Sequence, residues 1–347
     1  MRRNKRLKCA PRSGFALPAV LAVTGVVTLI FLVAITALNS LNAEARSARE
    51  RNQFMQRALT AEARLSYLIA TEPLRAQGLH VGGPKSWDEE TALMPIDEGQ
   101  TPLVRLDSRP YLLDIQGPLV VRMQDQAGLI NLNRLSDQSL YRLLDRLGIE
   151  ANRHGSVEAR FNDYVDTDRL RRTDGAEDEA YRNGGPPNRQ LLHPTEFLSV
   201  AGVRQEVSRR AWNSLRQDLV ADAISSNFNL NTATPKALGV MLGLTPEQIE
   251  TLIEERNHRA IYTTDDLDRL IGPAALWEEG RFYTFPSNAL ILSVRDTRSA
   301  WTYRARLAMS PAGLERPVWV DQIEMSEARG RARADTSNVI QLPYSAY

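Results

Sequence analysis

Seven acidic side chains, Asp163, Asp166, Asp168, Asp174, Glu177, Asp178 and Glu179, fall within 17 positions, and Gly175 supplies a bend among them. Hard carboxylate oxygens concentrated on loop backbone are what Ca²⁺ needs, at six to eight oxygen ligands. The spacing is not that of an EF-hand, because D-x-[DN]-x-[DN]-G is absent. The competing reading is a solvated acidic loop partly neutralised by Arg169, Arg171 and Arg172. Other chemistry finds little support. The single cysteine, Cys9, excludes an internal disulfide and any Cys or Cys/His metal site. The four histidines, His80, His154, His193 and His258, share no metal-ligand spacing. There is no G-x-S-x-G and no Walker loop, so a Ser/His/Asp constellation could arise only in space. The chain reads as a protein that is not an enzyme.

The elements that would carry the acidic segment begin at the N-terminus. The chain has 347 residues, room for one large or two ordinary domains, and its net charge of +1 gives no general drive toward nucleic acid or membrane. Charge is uneven along it. Arg2, Arg3, Lys5, Arg6, Lys8 and Arg12 precede Gly14 with no acidic residue among them. From Phe15 to Leu38 there are 24 uncharged residues, roughly 36 Å of helix against a hydrocarbon core of ~30 Å. The basic flank orients this segment with its N-terminus in the cytoplasm and the main domain exported. A secretory signal would be shorter and end in small residues, and a plain signal-anchor is the bland alternative. Gly14 at the basic-to-apolar boundary, followed by Phe15, resembles a type IV prepilin signal. In that family cleavage follows the Gly, which here would remove Cys9 and leave Phe15 as the mature N-terminus. Pro18 then falls in the first helical turn, where its missing N–H costs little. The family's fifth mature residue is usually Glu, and this chain has Ala19, as in the subunit that sits at a tip. No Gly or Pro interrupts the sequence from Leu38 to Pro73, so one helix of about 55 residues is expected, with a stripe that includes Leu41, Ala45, Phe54, Ala58, Leu65 and Leu68. The stripe from Leu41 to Leu68 is the best guess for a partner-docking surface.

Residues 71–110 are rich in Pro and Gly and read as loop. Strands are expected at Tyr111–Ile115, Leu119–Met123, Ala289–Val294, Trp301–Met309 and Val318–Met325. The interval between them is helical and holds an internal repeat, LINLNRLSDQSLYRLL (129–144) against NFNLNTATPKALGVML (227–242). Asn131 and Asn133 match Asn229 and Asn231, closing turns through their side chains. Ser136 and Thr234 take the N-cap, with Asp137 or Pro235 at N1. The second copy resembles the helix–hairpin–helix modules of competence-type DNA receptors, which would make the chain a type IV pilus or competence minor pilin. Its hairpins would be Leu242-Gly243-Leu244-Thr245 and Ile271-Gly272-Pro273. They have few glycines, Pro273 lacks a donor, and Glu247, Glu250, Glu254, Glu255, Asp265, Asp266 and Asp268 would repel phosphate. No nucleic-acid partner is expected.

Taken together, the Gly–Phe site without the fifth-position Glu, the paired N-L-N helices and the segment DYVDTD…DGAEDEAY (163–181) resemble the minor pseudopilin K family of type II secretion. The resemblance covers nearly the whole chain apart from 71–110 and the polar tail. It implies an α+β fold in which a long N-terminal pilin-type helix packs on a small antiparallel sheet, split by a large α-helical insertion. The expected parts are a leader (1–14), the membrane-spanning pilin helix (15–72), a pilin-like domain (73–124 and 286–326), the insertion (125–285) and a disordered tail (327–347). The resemblance also implies cleavage between Gly14 and Phe15 by a prepilin peptidase, N-methylation of Phe15, and an inner-membrane anchor with a periplasmic main domain. It implies calcium held at Asp166, Asp168, Asp174, Glu177 and Asp178. Its implied partners are the I and J minor pseudopilins, with which it would cap the tip of the pseudopilus, and the major pseudopilin.

Overall fold

The computed structural model describes residues 16–82, 102–181, 184–223, 227–272, 282–310, 317–327, 334–337 and 339–343. The chain falls into two compact units, Met1–Gln56 and Arg57–Tyr347. Helix α1 (Ala16–Thr71) is 56 residues long and runs from the first unit into the second. From Leu17 to Leu41 its large apolar residues are exposed on every side, as with Leu21 at 63% and Phe31 at 64%. A helix apolar all round needs a nonpolar surrounding, and among the described residues this helix alone has the length and composition to cross a membrane. Its hydroxyls suit that setting. Thr24 Oγ donates to the Val20 carbonyl at 2.8 Å and Thr28 Oγ to the Thr24 carbonyl at 2.7 Å, so neither needs water. Pro18 lies within the first turn described.

In the second unit the end of α1 buries Ala58, Ala61, Leu65 and Leu68. Three short strands follow: β1 (Leu74–Arg75), β2 (Gly78–His80) and β3 (Leu103–Arg105), joined as one antiparallel sheet. The sequence had assigned this stretch to loop. Strands of two and three residues are too short to show a period, and a Gly at β2 removes one side chain of what pattern there is. A Cβ at Gly78 would lie 2.1 Å from the Val104 carbonyl oxygen, so the close strand approach requires glycine. β4 (Asp107–Asp114) begins earlier than expected and contains Pro110, tolerated because the register with the next strand, β5 (Pro118–Asp125), shifts there and Ser108 is left-handed at φ 67°.

The chain then leaves the sheet for the helical region. Its elements are β6 (Ile130–Asn131), α2 (Asp137–Leu147), α3 (His154–Val165), α4 (Val203–Glu206), α5 (Arg209–Leu215), β7 (Leu219–Val220), β8 (Phe228–Asn229), α6 (Pro235–Ala237) continuing as a π-helix to Leu242, α7 (Pro246–His258), α8 (Thr264–Ile271) and β9 (Phe282–Tyr283). It returns through β10 (Ala289–Asp296), β11 (Trp301–Met309) and β12 (Val318–Glu327), and β13 (Ile340–Gln341) closes the described chain. The main sheet has the order β12-β11-β10-β5-β4-β13, antiparallel except for the β13–β4 pair. β5 and β10 lie at its centre and are almost wholly buried, whereas β11 alternates, turning Tyr303, Ala305 and Leu307 inward. The tail, expected to be disordered, therefore contributes an edge strand. Leu342 is buried and its N–H donates to the Leu112 carbonyl at 2.8 Å. One apolar residue in a polar tail supplies that anchor without a readable strand pattern.

Polar links tie α1 to this sheet. Arg57 Nε donates to the Ile115 carbonyl at 2.8 Å and Nη2 to the Gly117 carbonyl at 2.9 Å, and its guanidinium also pairs with buried Asp296. The turn so capped has positive φ at both Gln116 and Gly117. Tyr303 Oη donates to Glu62. The stripe proposed for partner docking is thus occupied by the chain's own sheet from Ala58 onward.

Candidate functional site

The helical region is a duplication, visible in its hydrogen bonds. Asn131 Oδ1 accepts the Asn133 N–H at 3.2 Å, and Asn229 Oδ1 accepts that of Asn231 at 3.0 Å. Ser136 and Thr234 cap the following helices through Ser139 N–H and Ala237 N–H, as their spacing predicted. Glycines in the left-handed conformation, Gly148 and Gly243, end them. The second asparagine of each motif clamps a distant backbone amide pair. Asn133 exchanges two bonds with Leu191, both at 2.9 Å, and Asn231 exchanges two with Ile261 at 2.9 and 2.8 Å. Two residues beyond each clamp a capping box starts the next helix, at His193 and at Thr263. Each copy is also closed by a parallel pair of two-residue strands, β6 with β7 and β8 with β9.

Superposing the copies by these marks isolates the acidic segment. In the second copy α7 ends at His258, just before the clamp at Ile261. In the first copy α3 ends at Val165 and the clamp waits until Leu191. The described residues between Val165 and Leu191 therefore belong to an insertion between a helix end and a clamp, held at both ends by repeat geometry.

Asp163, on the last turn of α3, organises that loop from a fully buried position. Its carboxylate accepts the Arg172 N–H at 3.2 Å, the Ala176 N–H at 2.9 Å and Arg172 Nη1 at 3.0 Å. The same guanidinium bridges to Asp166. A Cβ on Gly175 would lie 2.0 Å from Asp163 Oδ2 and 3.0 Å from the Arg172 carbonyl oxygen, so a larger residue at the bend must displace the carboxylate. Asp163 was counted in the acidic run but left out of the candidate ligands. A carboxylate one turn from a helix end, opposite a Gly in the loop, was the available signal.

The five candidate ligands are placed unequally. Asp166 is the C-cap of α3 and half-buried, with Oδ1 buried and without a hydrogen-bond partner. Glu177 is buried, and neither of its carboxylate oxygens has a partner. Burial first, then the charges of Asp163, Asp166, Asp178 and Asp168, push the Glu177 carboxyl up from its ordinary value. Asp168 and Asp178 are exposed. Asp168 accepts the Leu170 N–H at 2.7 Å, and Asp178 lies 4.0 Å from Arg169. Asp174 is exposed and left-handed at φ 61°. Asn188 Oδ1 is another buried oxygen without a partner, while its Nδ2 holds the Asp168 carbonyl at 2.7 Å. Among the described residues no three His, Cys, Asp or Glu side chains form a ready ligand set. Arg172 occupies the space between Asp163 and Asp166. Yet the orphaned atoms of Glu177, Asp166 and Asn188 are all hard oxygens, the donor type that Ca²⁺ takes, so the residues present fit that ion in chemistry.

Gly14 and Phe15 lie outside the described residues. In the first candidate DNA hairpin the Thr245 N–H is already used, donating to Gln248 Oε1 at 3.0 Å, and an arginine binds the carbonyls just before the hairpin. Arg142 Nε donates to the Val240 carbonyl at 2.7 Å and Nη2 to that of Met241 at 3.0 Å, and Thr245 Oγ accepts the Gln248 N–H at 3.3 Å. Pro273 of the second lies outside the described residues. Asp125, where β5 meets the helical region, had no sequence signal. It is fully buried and accepts from Asn229 Nδ2, Thr232 Oγ, the Ala127 N–H and both the N–H and Oγ of Ser287.

A membrane-length apolar helix continuing onto an antiparallel sheet, with a duplicated helical region between its strands, defines a pilin-like fold. Within that fold, residues 124–213 match the family model "Type II secretion system (T2SS), protein K". It is 28% identical over 171 residues to type II secretion system protein K of Pseudomonas aeruginosa, covering 46% of this chain and 51% of that protein. It is 25% identical over 213 residues to the protein of the same name from Pectobacterium carotovorum subsp. carotovorum, covering 59% of this chain and 63% of that one. The chain thus spans about half to two thirds of the length of these relatives. Its fold matches a chain in the crystal structure of the GspK-GspI-GspJ complex from the enterotoxigenic Escherichia coli Type 2 Secretion System. The TM-score is 0.54 at 18% identity, over 82% of this chain and 100% of that one. The resemblance to pseudopilin K read from the sequence is supported by the family match and the two relatives, and the expected fold by the solved structure.

Proposed function

We propose that this protein is a minor pseudopilin of a type II secretion system, does no chemistry of its own, and caps the pseudopilus tip in company with I- and J-type minor pseudopilins. The observation that carries the reading is the protein K domain built into a pilin-like sheet behind a membrane-length helix. A prepilin peptidase cuts between Gly14 and Phe15, and the new Phe15 amine is methylated. The apolar segment then waits in the inner membrane with the main domain in the periplasm. Ala19 leaves no carboxylate to pair with the amine of a subunit above, which suits a terminal position over the major pseudopilin. Assembly of the minor subunits starts the filament, whose growth moves folded substrates toward the outer membrane. Deleting the chromosomal copy should leave secreted proteins in the periplasm, and the intact chain should restore their export. Normal export in the deletion strain would end this reading.

The acidic loop belongs to the same proposal. Asp166, Asp168, Asp174, Glu177 and Asp178 hold calcium, which neutralises Glu177 and fixes a loop that no disulfide constrains. Thermal unfolding of the full chain in detergent, with calcium and then with chelator, tests it. The melting temperature should fall with chelator in the parent and hardly change in an Asp174→Ala/Glu177→Ala variant. Equal melting of the parent in both conditions would return the segment to a solvated loop.

A further inference from the structure

β12 forms one edge of the main sheet and is ten residues long. Among the described residues no strand lies beyond it. An edge of this length presents a row of backbone groups to any extended chain, and natural proteins usually blunt such edges. Here the blunting is local, a bulge between Arg306 and Leu307 in the pairing with β11. The side chains on either side of the edge differ. Val320, Ile323 and Met325 pair with the inward-facing Leu307, Ala305 and Tyr303 and so continue the core face of the sheet. Yet Val320 is 36% and Ile323 55% exposed. On the opposite face Gln322 and Glu324 pair with Arg306 and Arg304. They border a groove of ≈ 470 Å³ between the sheet and the helical region, whose other walls include Leu192, Trp212 and Arg216. Glu324 is half exposed there, with Arg216 no nearer than 3.9 Å.

The opposite edge shows how this sheet takes up a loose segment. The chain's own tail adds β13 beside β4 and buries Leu342. We infer that β12 receives the corresponding addition from outside: an extended segment of a neighbouring minor pseudopilin that alternates apolar residues with uncharged polar ones. This rests on the pseudopilin reading above. The apolar positions lie beside Val320, Ile323 and Met325, and the uncharged positions lie beside Gln322 and Glu324, along a groove whose walls already hold Arg216, Arg304 and Arg306. A second copy of this chain is the wrong occupant. Residues 317–327 carry Asp321, Glu324 and Glu327 and no Lys or Arg, so two such edges bring like charges together along one seam. Strand addition supplies affinity through the backbone and selectivity through alternate side chains.

The test uses the full chain in detergent, alone and co-purified with the I- and J-type minor pseudopilins, read by amide hydrogen exchange. Exchange within 318–327 should slow by about tenfold or more in the complex, as it does when an open edge becomes a paired strand. Ile323→Lys should weaken the complex by about tenfold, while Tyr67→Lys, at another exposed apolar position, leaves it unchanged. Because Ile323 is 55% exposed, Ile323→Ser provides a second variant whose unfolding matches the parent. A complex that forms with exchange in 318–327 unaltered overturns the inference and leaves the pseudopilin reading standing. Slowing that depends on the concentration of this chain alone assigns the edge to a second copy and also overturns it. Failure of any complex to form removes both.

Discussion

Replacing Asp163 by Asn keeps the side chain's shape but turns one acceptor into an NH₂ facing a donor. The site offers three donors, from the Arg172 and Ala176 N–H groups and the Arg172 guanidinium, to a carboxylate that is wholly buried. Asp163→Asn should therefore cost about 1–3 kcal/mol, the range for leaving a buried donor unsatisfied, read by urea unfolding. Its protease cleavage should concentrate in 166–190. Glu206 provides the pH counterpart. Burial opposes its ionisation, but hydrogen bonds from Arg153 at 3.0 Å and Arg160 at 2.9 Å prevail, so its pKa lies below the ordinary carboxylate value. A depressed carboxylate stabilises the fold above its unfolded pKa of about 4.3, and that contribution disappears as pH falls through the folded value. Glu206→Gln should then lower stability at neutral pH and flatten the loss of stability below about pH 4.3, whereas an unchanged acid limb would assign that loss to other carboxylates.

The paired asparagines show what a helical region gains from repeating one device. The first Asn of each motif makes a local turn, legible because donor and acceptor lie two residues apart. The second reaches a partner 58 residues away in one copy and 30 in the other, a distance at which no sequence pattern survives. Those unequal distances are also why the acidic loop looked like part of a domain rather than an insertion into a repeat. Asn231→Ala leaves the Ile261 N–H and carbonyl buried without partners and should cost about 2–4 kcal/mol. Asn133→Ala should cost a similar amount while also freeing the inserted loop at its Leu191 end. If calcium holds the loop, only the Asn133 variant should lose part of its chelator response in thermal unfolding. Equal responses in both variants would separate the loop from the clamp. The main sheet was readable for a different reason: β10, β11 and β12 are long enough to display β-branched runs or alternation. The β1–β3 sheet and β13 were missed because two or three residues display neither.

At the scale of the whole molecule, the sequence feature with the widest consequence is the boundary at Gly14. Six basic residues on its N-terminal side and 24 uncharged ones from Phe15 leave the chain two possible fates: a leader removed at the boundary, or an uncleaved anchor. Both place the segment after Phe15 in a membrane, since apolar residues exposed on every side of a helix that long have no other favourable surrounding. They differ in what a bulky residue at the boundary does. Gly14→Leu extends the apolar run by one residue and leaves membrane partition as favourable as before, so an uncleaved anchor would tolerate it. If a peptidase must enter between Gly14 and Phe15, the same change keeps the 14-residue leader attached. The variant should then remain in the membrane fraction, migrate more slowly than the parent on gels, retain Met1 or Arg2 as its N-terminus by mass spectrometry, and fail to restore secretion. A Gly14→Leu chain that migrates with the parent and supports secretion would show that Gly14 does not set the boundary. The anchor would then stand on hydrophobicity alone, and the placement of this protein at a filament tip would lose its first step.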